Sequence, residues 1–198
     1  MAIYINENWK TTTFKSELEL IIGLYHSIGL LDNYLLKLKN NALKMKYFVL
    51  EPEVAGGIGK KSKILYENSK IKEVLFLDYE FEGWLGDDIL TTHPCFIISE
   101  SLCDIIKVSD LKGYQLQKMD VSFSDFFLEV YNKNILPNFI RLLPFAINDI
   151  SLIDKMLLDF YLYKNTTLIV SEKALNTLKK LNLSNANILN IDTLKNKC

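Results

Sequence analysis

The sequence is poor in the residues that recognise phosphate, bind metals and cross-link chains. Arg141 is the only arginine, and 198 residues contain two histidines and three cysteines. Bidentate recognition of phosphate or guanine by arginine is therefore almost excluded. The cysteines are Cys95, Cys103 and Cys198. An odd number of cysteines argues against a disulfide framework and indicates the reducing cytoplasm.

A strong net charge and a long apolar run are also missing. The formal net charge is −1, with 49% hydrophobic and 24% charged residues. This is an ordinary globular composition without an overall attraction to nucleic acid. The most apolar run, from Leu20 to Leu31, spans roughly a dozen residues, against the ~20 needed to cross a bilayer. We therefore expect a cytoplasmic protein that binds neither nucleic acid nor membranes.

An internal repeat organises the second half of the chain. Segments 95–120 and 167–192 align without a gap at an offset of 72 residues (171 minus 99). Each segment has the pattern of a strand, a serine that caps a helix, a glutamate in the first helical turn, and a second strand. The four predicted capping residues are Ser99, Glu100, Ser171 and Glu172. The pattern predicts an α/β (α+β) fold with a mixed sheet and two related strand-cap-helix-strand units.

Residues 1–44 have a different character from the rest. Ser16 to Glu19 forms a capping box, and apolar residues then recur at three- and four-residue spacing to about Lys44. We expect an N-terminal helical extension at 1–44, followed by an α/β domain at 45–198. The helix either packs on that domain or forms a face for homo-oligomerisation.

Charge is segregated along the sequence. From Leu36 to Lys72 there are nine lysines and three glutamates, whereas from Val74 to Asp104 there are seven carboxylates and no basic residue. Alternation in the predicted strand from Glu73 to Phe81 sets apolar residues on one face and acids on the other. An acidic surface attracts basic proteins and repels phosphate, although a merely solvated strand face is the alternative. The predicted partner-binding residues are Asp78, Glu80, Glu82, Trp84, Asp87 and Asp88.

The candidates for small-molecule chemistry are few. The loop at Gly56–Gly59 lacks the spacing of a phosphate-binding loop and predicts a tight turn or a close backbone approach. His93, Cys95 and Cys103 fit no zinc spacing, and no third group orients His93 towards Cys95. We therefore predict no cofactor, no metal site and no catalytic residue. The alternative is a small-ligand-binding protein or enzyme that uses the Gly56–Gly59 loop and nearby carboxylates.

Five segments resemble one protein family. They are MKYFVLEPEVAGGIG at 45–59, YEFEGWLGDD at 79–88, PCFIISE at 94–100, LPNF at 136–139 and IVSE at 169–172. Together they are similar to the immunity proteins of bacterial polymorphic toxin systems, over about residues 45–192. The resemblance implies a cytoplasmic, non-enzymatic protein that neutralises a cognate toxin during interbacterial competition, whether a contact-dependent or a secreted effector. It carries over no catalytic residue. We expect the toxin domain to be basic, for instance a nuclease.

Overall fold

The computed structural model describes residues 45–131 and 138–195. These residues form a mixed α+β fold, in which a curled mixed sheet is combined with a few short helices. This confirms the predicted fold class. The predicted helical extension at 1–44, with its possible homo-oligomerisation face, lies outside the described residues.

Strands dominate the described chain. The strands are β1 (Tyr47–Glu51), β2 (Gly56–Ile58), β3 (Lys63–Glu67), β4 (Lys70–Phe76), β5 (Asp78–Phe81), β6 (Ile89–Thr92), β7 (Cys95–Ser99), β8 (Tyr114–Gln117), β9 (Asp120–Phe123), β10 (Phe139–Ile147), β11 (Phe160–Tyr163), β12 (Thr167–Ser171) and β13 (Asn187–Asn190). The helices are α1 (Glu100–Lys107), α2 (Asp125–Val130), α3 (Ile153–Met156), α4 (Glu172–Leu178) and α5 (Asp192–Lys195), with a 3₁₀ turn at Ile150–Leu152. Helices this short depend on packing against the sheet for their stability.

The main sheet has the strand order β13-β1-β12-β11-β10-β7-β6, and β8 also pairs with β10. A second sheet has the order β2-β5-β9, and β3 and β4 form a separate hairpin. Within the main sheet, β10 and β11 are parallel, while the pairs made by β1 and by β7 are antiparallel.

Two repeats build the main sheet, and they exchange their first strands. The first repeat contains β1, β6, β7, α1 and β8, and the second contains β10, β11, β12, α4 and β13. Strand β1 pairs with β12 and β13 of the second repeat. Strand β10 pairs with β7 and β8 of the first repeat. The two repeats are therefore interlocked through their hydrogen bonds.

Towards its C-terminal end, the chain of each exchanged strand pairs with a strand of its own repeat. Phe145 lies beside Tyr161 in a parallel pair, and Glu53 makes the equivalent parallel bridge to Leu90. A proline stands shortly before this point in each repeat: Pro52 directly follows β1, and Pro144 lies within β10, 92 residues later (144 minus 52). Proline has no N–H group, so it fits where a strand passes from one neighbour to another.

This arrangement corrects the expectation for residues 137–144. The two prolines that bracket this segment predict a strand that is either short or at the edge of a sheet. Instead, β10 has nine residues and lies between β11 and β7. The central position is possible because Pro144 stands at the change of partner.

The predicted repeat and its caps are confirmed. Strands β7 and β12 begin and end at the same aligned positions, and each ends in a serine. The Ser99 hydroxyl accepts a hydrogen bond from Leu102 N at 3.2 Å, and the Ser171 hydroxyl accepts one from Ala174 N at 3.0 Å. Glu100 and Glu172 lie in the first turns of α1 and α4. Helix α1 ends at Lys107, earlier than the Lys112–Gly113 end that its sequence suggests.

Both capped helices pack into one central core. The buried side of α1 and the buried side of α4 meet there with strands from both repeats. The helical contributors are Leu102, Cys103, Ile106, Ala174, Leu175 and Leu178. Cys95 and Cys103 are buried free thiols.

One part of the structure has no counterpart in the second repeat. We call it the insert lobe: strands β2, β5 and β9, the β3–β4 hairpin and helix α2. It is formed by residues that follow β1 and by residues that follow β8. The predicted continuous strand from Glu73 to Phe81 is wrong, because it breaks at the buried Leu77 into β4 of the hairpin and β5 of the small sheet.

A candidate partner-binding surface

The six residues predicted to face a partner do not form one exposed surface. Asp78 and Asp87 are each only 1% exposed. Glu80 and Asp88 are half-buried, whereas Glu82 and Trp84 are exposed. Burial therefore divides the predicted set into residues that stabilise the fold and residues that a partner can reach.

Asp78 holds the turn that follows the glycine-rich segment. Its Oδ2 accepts a hydrogen bond from Lys61 N at 3.2 Å. Its backbone N–H donates to Ser62 Oγ at 2.8 Å, and the Ser62 hydroxyl donates to Asp78 O at 3.1 Å. The prediction that Asp78 is exposed is therefore wrong. Asp78 is the first residue of β5, and this turn covers its side chain.

Asp87 and Asp88 bind the loop that follows α4. Asp87 Oδ2 accepts a hydrogen bond from Asn185 N at 2.8 Å, and Asp88 Oδ2 accepts one from Asn182 N at 2.9 Å. Asp88 Oδ1 also accepts the hydroxyl proton of Ser99. Both carboxylates are used inside the protein, so neither is a free acidic group for a partner.

Trp84 is exposed but fixed in orientation. Its indole Nε1 donates a hydrogen bond to Glu53 Oε1 at 2.8 Å, while 46% of the residue stays accessible. Glu53 is itself held, because its Oε2 accepts from Asp87 N at 3.0 Å. A tryptophan that is both accessible and already oriented loses little conformational entropy when it binds a partner.

Glu80 and Glu82 are the free acids of the predicted set. Among residues 45–131 and 138–195, no hydrogen bond or ion pair involves either carboxylate. The Glu82 backbone carbonyl accepts the Ser124 hydroxyl at 2.8 Å, which joins the end of β5 to the start of α2. Glu82 therefore lies next to the start of α2.

Helix α2 adds apolar and acidic groups that the sequence analysis did not include in the site. Phe126 and Val130 are 62% and 57% exposed. Asp125 and Glu129 on the same helix are exposed as well. The ring of Phe126 lies beside Gly83, where an added Cβ would be 3.6 Å from it. Two acids four residues apart, each followed directly by an apolar residue (Asp125-Phe126 and Glu129-Val130), are the signal that could have indicated this face.

These groups define what we call the acidic–aromatic patch. Its members are Glu82, Trp84, Asp125, Phe126, Glu129 and Val130. The chain segments that contribute them, 74–104 and 119–131, contain no lysine or arginine. The patch thus combines negative charge with accessible aromatic surface, and it lies in the insert lobe.

The glycine-rich segment is mainly a strand, not a turn. Gly56 and Gly57 lie in β2 and pair with Phe81 and Glu80 of β5. The expected close approach is present, since a side chain at Gly56 would overlap the backbone carbonyl of Glu80. The backbone amides of a paired strand are not arranged as a cradle for phosphate.

The remaining chemical candidates are separated or buried. His93 lies exposed in the turn between β6 and β7, and Cys95 is only 2% exposed. Burial raises the pKa of the Cys95 thiol, although the nearby Arg141 cation acts in the opposite direction. In the described ranges, no cluster of three or more His, Cys, Asp or Glu side chains could hold a metal ion. A cavity of about 360 Å³ is lined by Pro52, His93 and Thr166, but not by Cys95 or the Gly56–Gly59 segment.

No protein-family model matches the chain, and no curated protein or solved structure matches it either. Within residues 45–131 and 138–195, no helix has the length and apolar character needed to cross a membrane.

Proposed function

We propose that this chain is a cytoplasmic immunity protein, which binds a cognate bacterial toxin domain and neutralises it without catalysis. The toxin domain is basic, and it contacts the insert lobe. The observation that carries this proposal is that Glu82 and the oriented Trp84, two residues apart, are both exposed. The similarity of segments 45–59, 79–88 and 94–100 to immunity proteins supports the same function.

The division of the fold into two repeats and the insert lobe supports placing the toxin-binding surface on the insert lobe. Asp87 and Asp88, which directly precede β6 of the repeated frame, are used internally. In the insert lobe, by contrast, Glu80 and Glu82 have no partner among the described residues. Tryptophan is enriched among the residues that dominate binding energy, and surrounding charges speed association. The lobe thus has the composition of a protein-binding surface.

The alternative is an enzyme or small-ligand-binding protein built on the Gly56–Gly59 loop. Gly56 and Gly57 are paired into a sheet. Beside Gly59, Oδ2 of Asp78 accepts the amide of Lys61, and Oδ1 is buried without a hydrogen-bond partner among the described residues. The acids that stay accessible lie on the surface beside α2. This geometry favours a protein partner over a small ligand.

We expect the gene directly upstream of this chain to encode a large secreted protein with a variable C-terminal toxin domain, and the test uses that domain. Co-expression of the two should restore the growth of cells that the toxin domain alone arrests, and the two proteins should co-purify. Failure of both rescue and complex formation would overturn the immunity function.

A charge-reversal pair locates the interface. Glu80→Lys with Glu82→Lys should weaken toxin binding by at least tenfold and reduce its salt dependence. The matched control is Asp104→Lys with Asp154→Lys, which changes the net charge equally at exposed positions outside the lobe. Equal affinities for the two double variants would show that the lobe carboxylates are only solvated.

A further inference from the structure

The buried side of α2 holds this helix in a fixed position. Phe127 is fully buried, and its ring stacks on Phe123 at 5.0 Å and on Tyr131 at 4.6 Å between centroids. Phe81 of β5 packs against the same ring at 5.7 Å. The hydroxyl of Ser124 caps the helix by accepting from Phe127 N at 3.1 Å. The helix is therefore anchored at its start and along its inner face.

The opposite side of α2 presents unpartnered apolar groups. Phe126 and Val130 are four residues apart, so they lie on one face of the helix. They are 62% and 57% exposed, although a phenylalanine in a monomeric protein is usually buried. Gly83 has no side chain, which leaves the ring of Phe126 open on that side. Exposed aromatic surface next to polar residues is typical of a protein-binding site.

The charges around these apolar groups select the kind of partner. Asp125 and Glu129 are also four residues apart on the exposed part of α2, and Glu82 lies at the adjoining end of β5. Acids repel the phosphates of nucleic acid and of anionic membranes. Two copies of this chain would bring the same acids together, which disfavours self-association through the patch. The complementary occupant is a basic protein surface.

We infer that Phe126, supported by Val130, is the anchor of the toxin-binding surface. It inserts into an apolar depression of the toxin domain, and lysine or arginine side chains around that depression pair with Asp125, Glu129 and Glu82. This assignment rests on the proposed function. It differs from that proposal in placing the centre of the interface on α2, with Trp84 and the β5 acids at its side.

The experiment measures the affinity of the full chain for the upstream-encoded toxin domain, by calorimetry and by stopped-flow kinetics. Phe126→Ala should weaken binding by at least tenfold, chiefly through faster dissociation, because removing a buried aromatic anchor shortens the lifetime of a complex. Asp125→Asn with Glu129→Gln should slow association and flatten its salt dependence. The melting temperature of each variant checks that the fold is kept.

Phe145→Ala is the matched control, since Phe145 is an exposed phenylalanine of β10, outside the lobe, with 43% exposure. It should bind the toxin domain like the wild-type chain. If Phe126→Ala binds within twofold of wild type while the wild-type chain neutralises the toxin, the inference is wrong and the proposed function stands. If the wild-type chain forms no complex at all, the proposed function is wrong and the inference falls with it. Sedimentation equilibrium that shows a dimer dissociated by Phe126→Ala would assign the patch to self-association and overturn the inference.

Discussion

Asp88 and Asp159 make the same pair of contacts in the two repeats, 71 residues apart (159 minus 88). Each accepts the hydroxyl proton of the serine that caps the helix of its own repeat. Each also accepts a backbone N–H from the loop that follows the helix of the other repeat, Asn182 N for Asp88 and Lys112 N for Asp159. The two aspartates thus tie helix starts to helix ends across the repeat boundary.

Removing either aspartate should destabilise the protein, and Asp159 should matter more. Asp159 is 4% exposed and Asp88 is half-buried. In Asp159→Ala, the N–H of Lys112 and the hydroxyl of Ser171 lose their acceptor, at a cost of about 3 kcal/mol in the free energy of unfolding. Urea denaturation measures this cost. Asp104→Ala, an exposed position, is the control and should change the free energy by less than about 0.5 kcal/mol. Equal effects of Asp159→Ala and Asp104→Ala on the free energy of unfolding would contradict a linking role for Asp159.

Gly56→Ala should be much more harmful than Gly57→Ala, one residue away. A methyl group at Gly56 overlaps the backbone of Glu80, which cannot move without disturbing β5. We expect a loss of about 1–3 kcal/mol, which is typical of overpacking. At Gly57 the nearest atom is Glu82 Oε1 at 3.3 Å, at the end of a flexible exposed side chain. Thermal unfolding of the two variants tests the difference, and similar midpoints would rule out the close approach of β2 to β5.

Arg141→Met should loosen the β3–β4 hairpin. Arg141 is 7% exposed, and its Nη1 donates to Val74 O at 2.6 Å and to Gln117 Oε1 at 2.9 Å. Methionine keeps most of the volume but leaves the carbonyl of Val74 without this donor. Local opening should become easier by about 2 kcal/mol, which corresponds to roughly 30-fold faster amide exchange.

Hydrogen exchange followed by mass spectrometry resolves this effect. Peptides from residues 63–76 should exchange faster, while peptides from β12 keep their protection apart from any change in global stability. The exposed cation of Lys107 provides the control, as Lys107→Met. Uniform acceleration across the whole chain would mean that Arg141 acts on global stability and not on the hairpin.

The alkaline side of the stability curve should depend on Tyr79. Burial raises the pKa of Tyr79 to about 12, and its hydroxyl oxygen accepts a hydrogen bond from Ala55 N. Tyrosine in an unfolded chain has a pKa of about 10, so unfolding releases a proton between these values. The stabilising contribution is complete below about pH 10 and is lost as the pH rises towards 12.

Denaturant unfolding between pH 9 and pH 12 checks this dependence. In Tyr79→Phe, the free energy of unfolding should fall less steeply with pH over that window. The difference in slope corresponds to about one fewer proton released on unfolding. In concentrated urea, the wild-type chain and the variant are both unfolded. There the variant should show one fewer tyrosine titrating with a pKa of about 10 in the absorbance at 295 nm. An unchanged slope in the folded range would contradict the burial of an intact hydroxyl at Tyr79.

Local patterns were sufficient for the repeated units and their caps. A serine before a glutamate and an apolar stripe specifies a helix start within a few residues, so Ser99 and Ser171 could be read directly. The strand exchange was not visible, because the first strands align at an offset of 92 residues while β7 and α1 align with β12 and α4 at 72 and the remaining elements within one residue of that value. The segment between β1 and β6 is longer than the segment between β10 and β11, so the first strands do not share the offset of the other elements. Only single matching residues, such as Pro52 and Pro144, show that the first strands correspond.

The candidate site was predicted only in part. Alternation correctly set Tyr79 and Phe81 on the buried face of β5, but it also predicted an exposed Asp78. A period of two identifies opposite faces of a strand and cannot show that both faces are covered. In α2, the sequence shows adjacent phenylalanines without indicating which is accessible. Packing of Phe127 against Phe81, distant in sequence, leaves Phe126 on the outside.

By itself, the sequence determined the fold class, the two capped units and the separation of acidic from basic segments, since these depend on neighbouring residues and on composition. Only the tertiary structure decided which acids remain free. Asp78, Asp87 and Asp88 are held by amides from other segments, and Glu82 is left accessible beside Phe126. The reason is that burial and hydrogen-bond partners are set by contacts between residues far apart in the chain, which local sequence patterns do not specify.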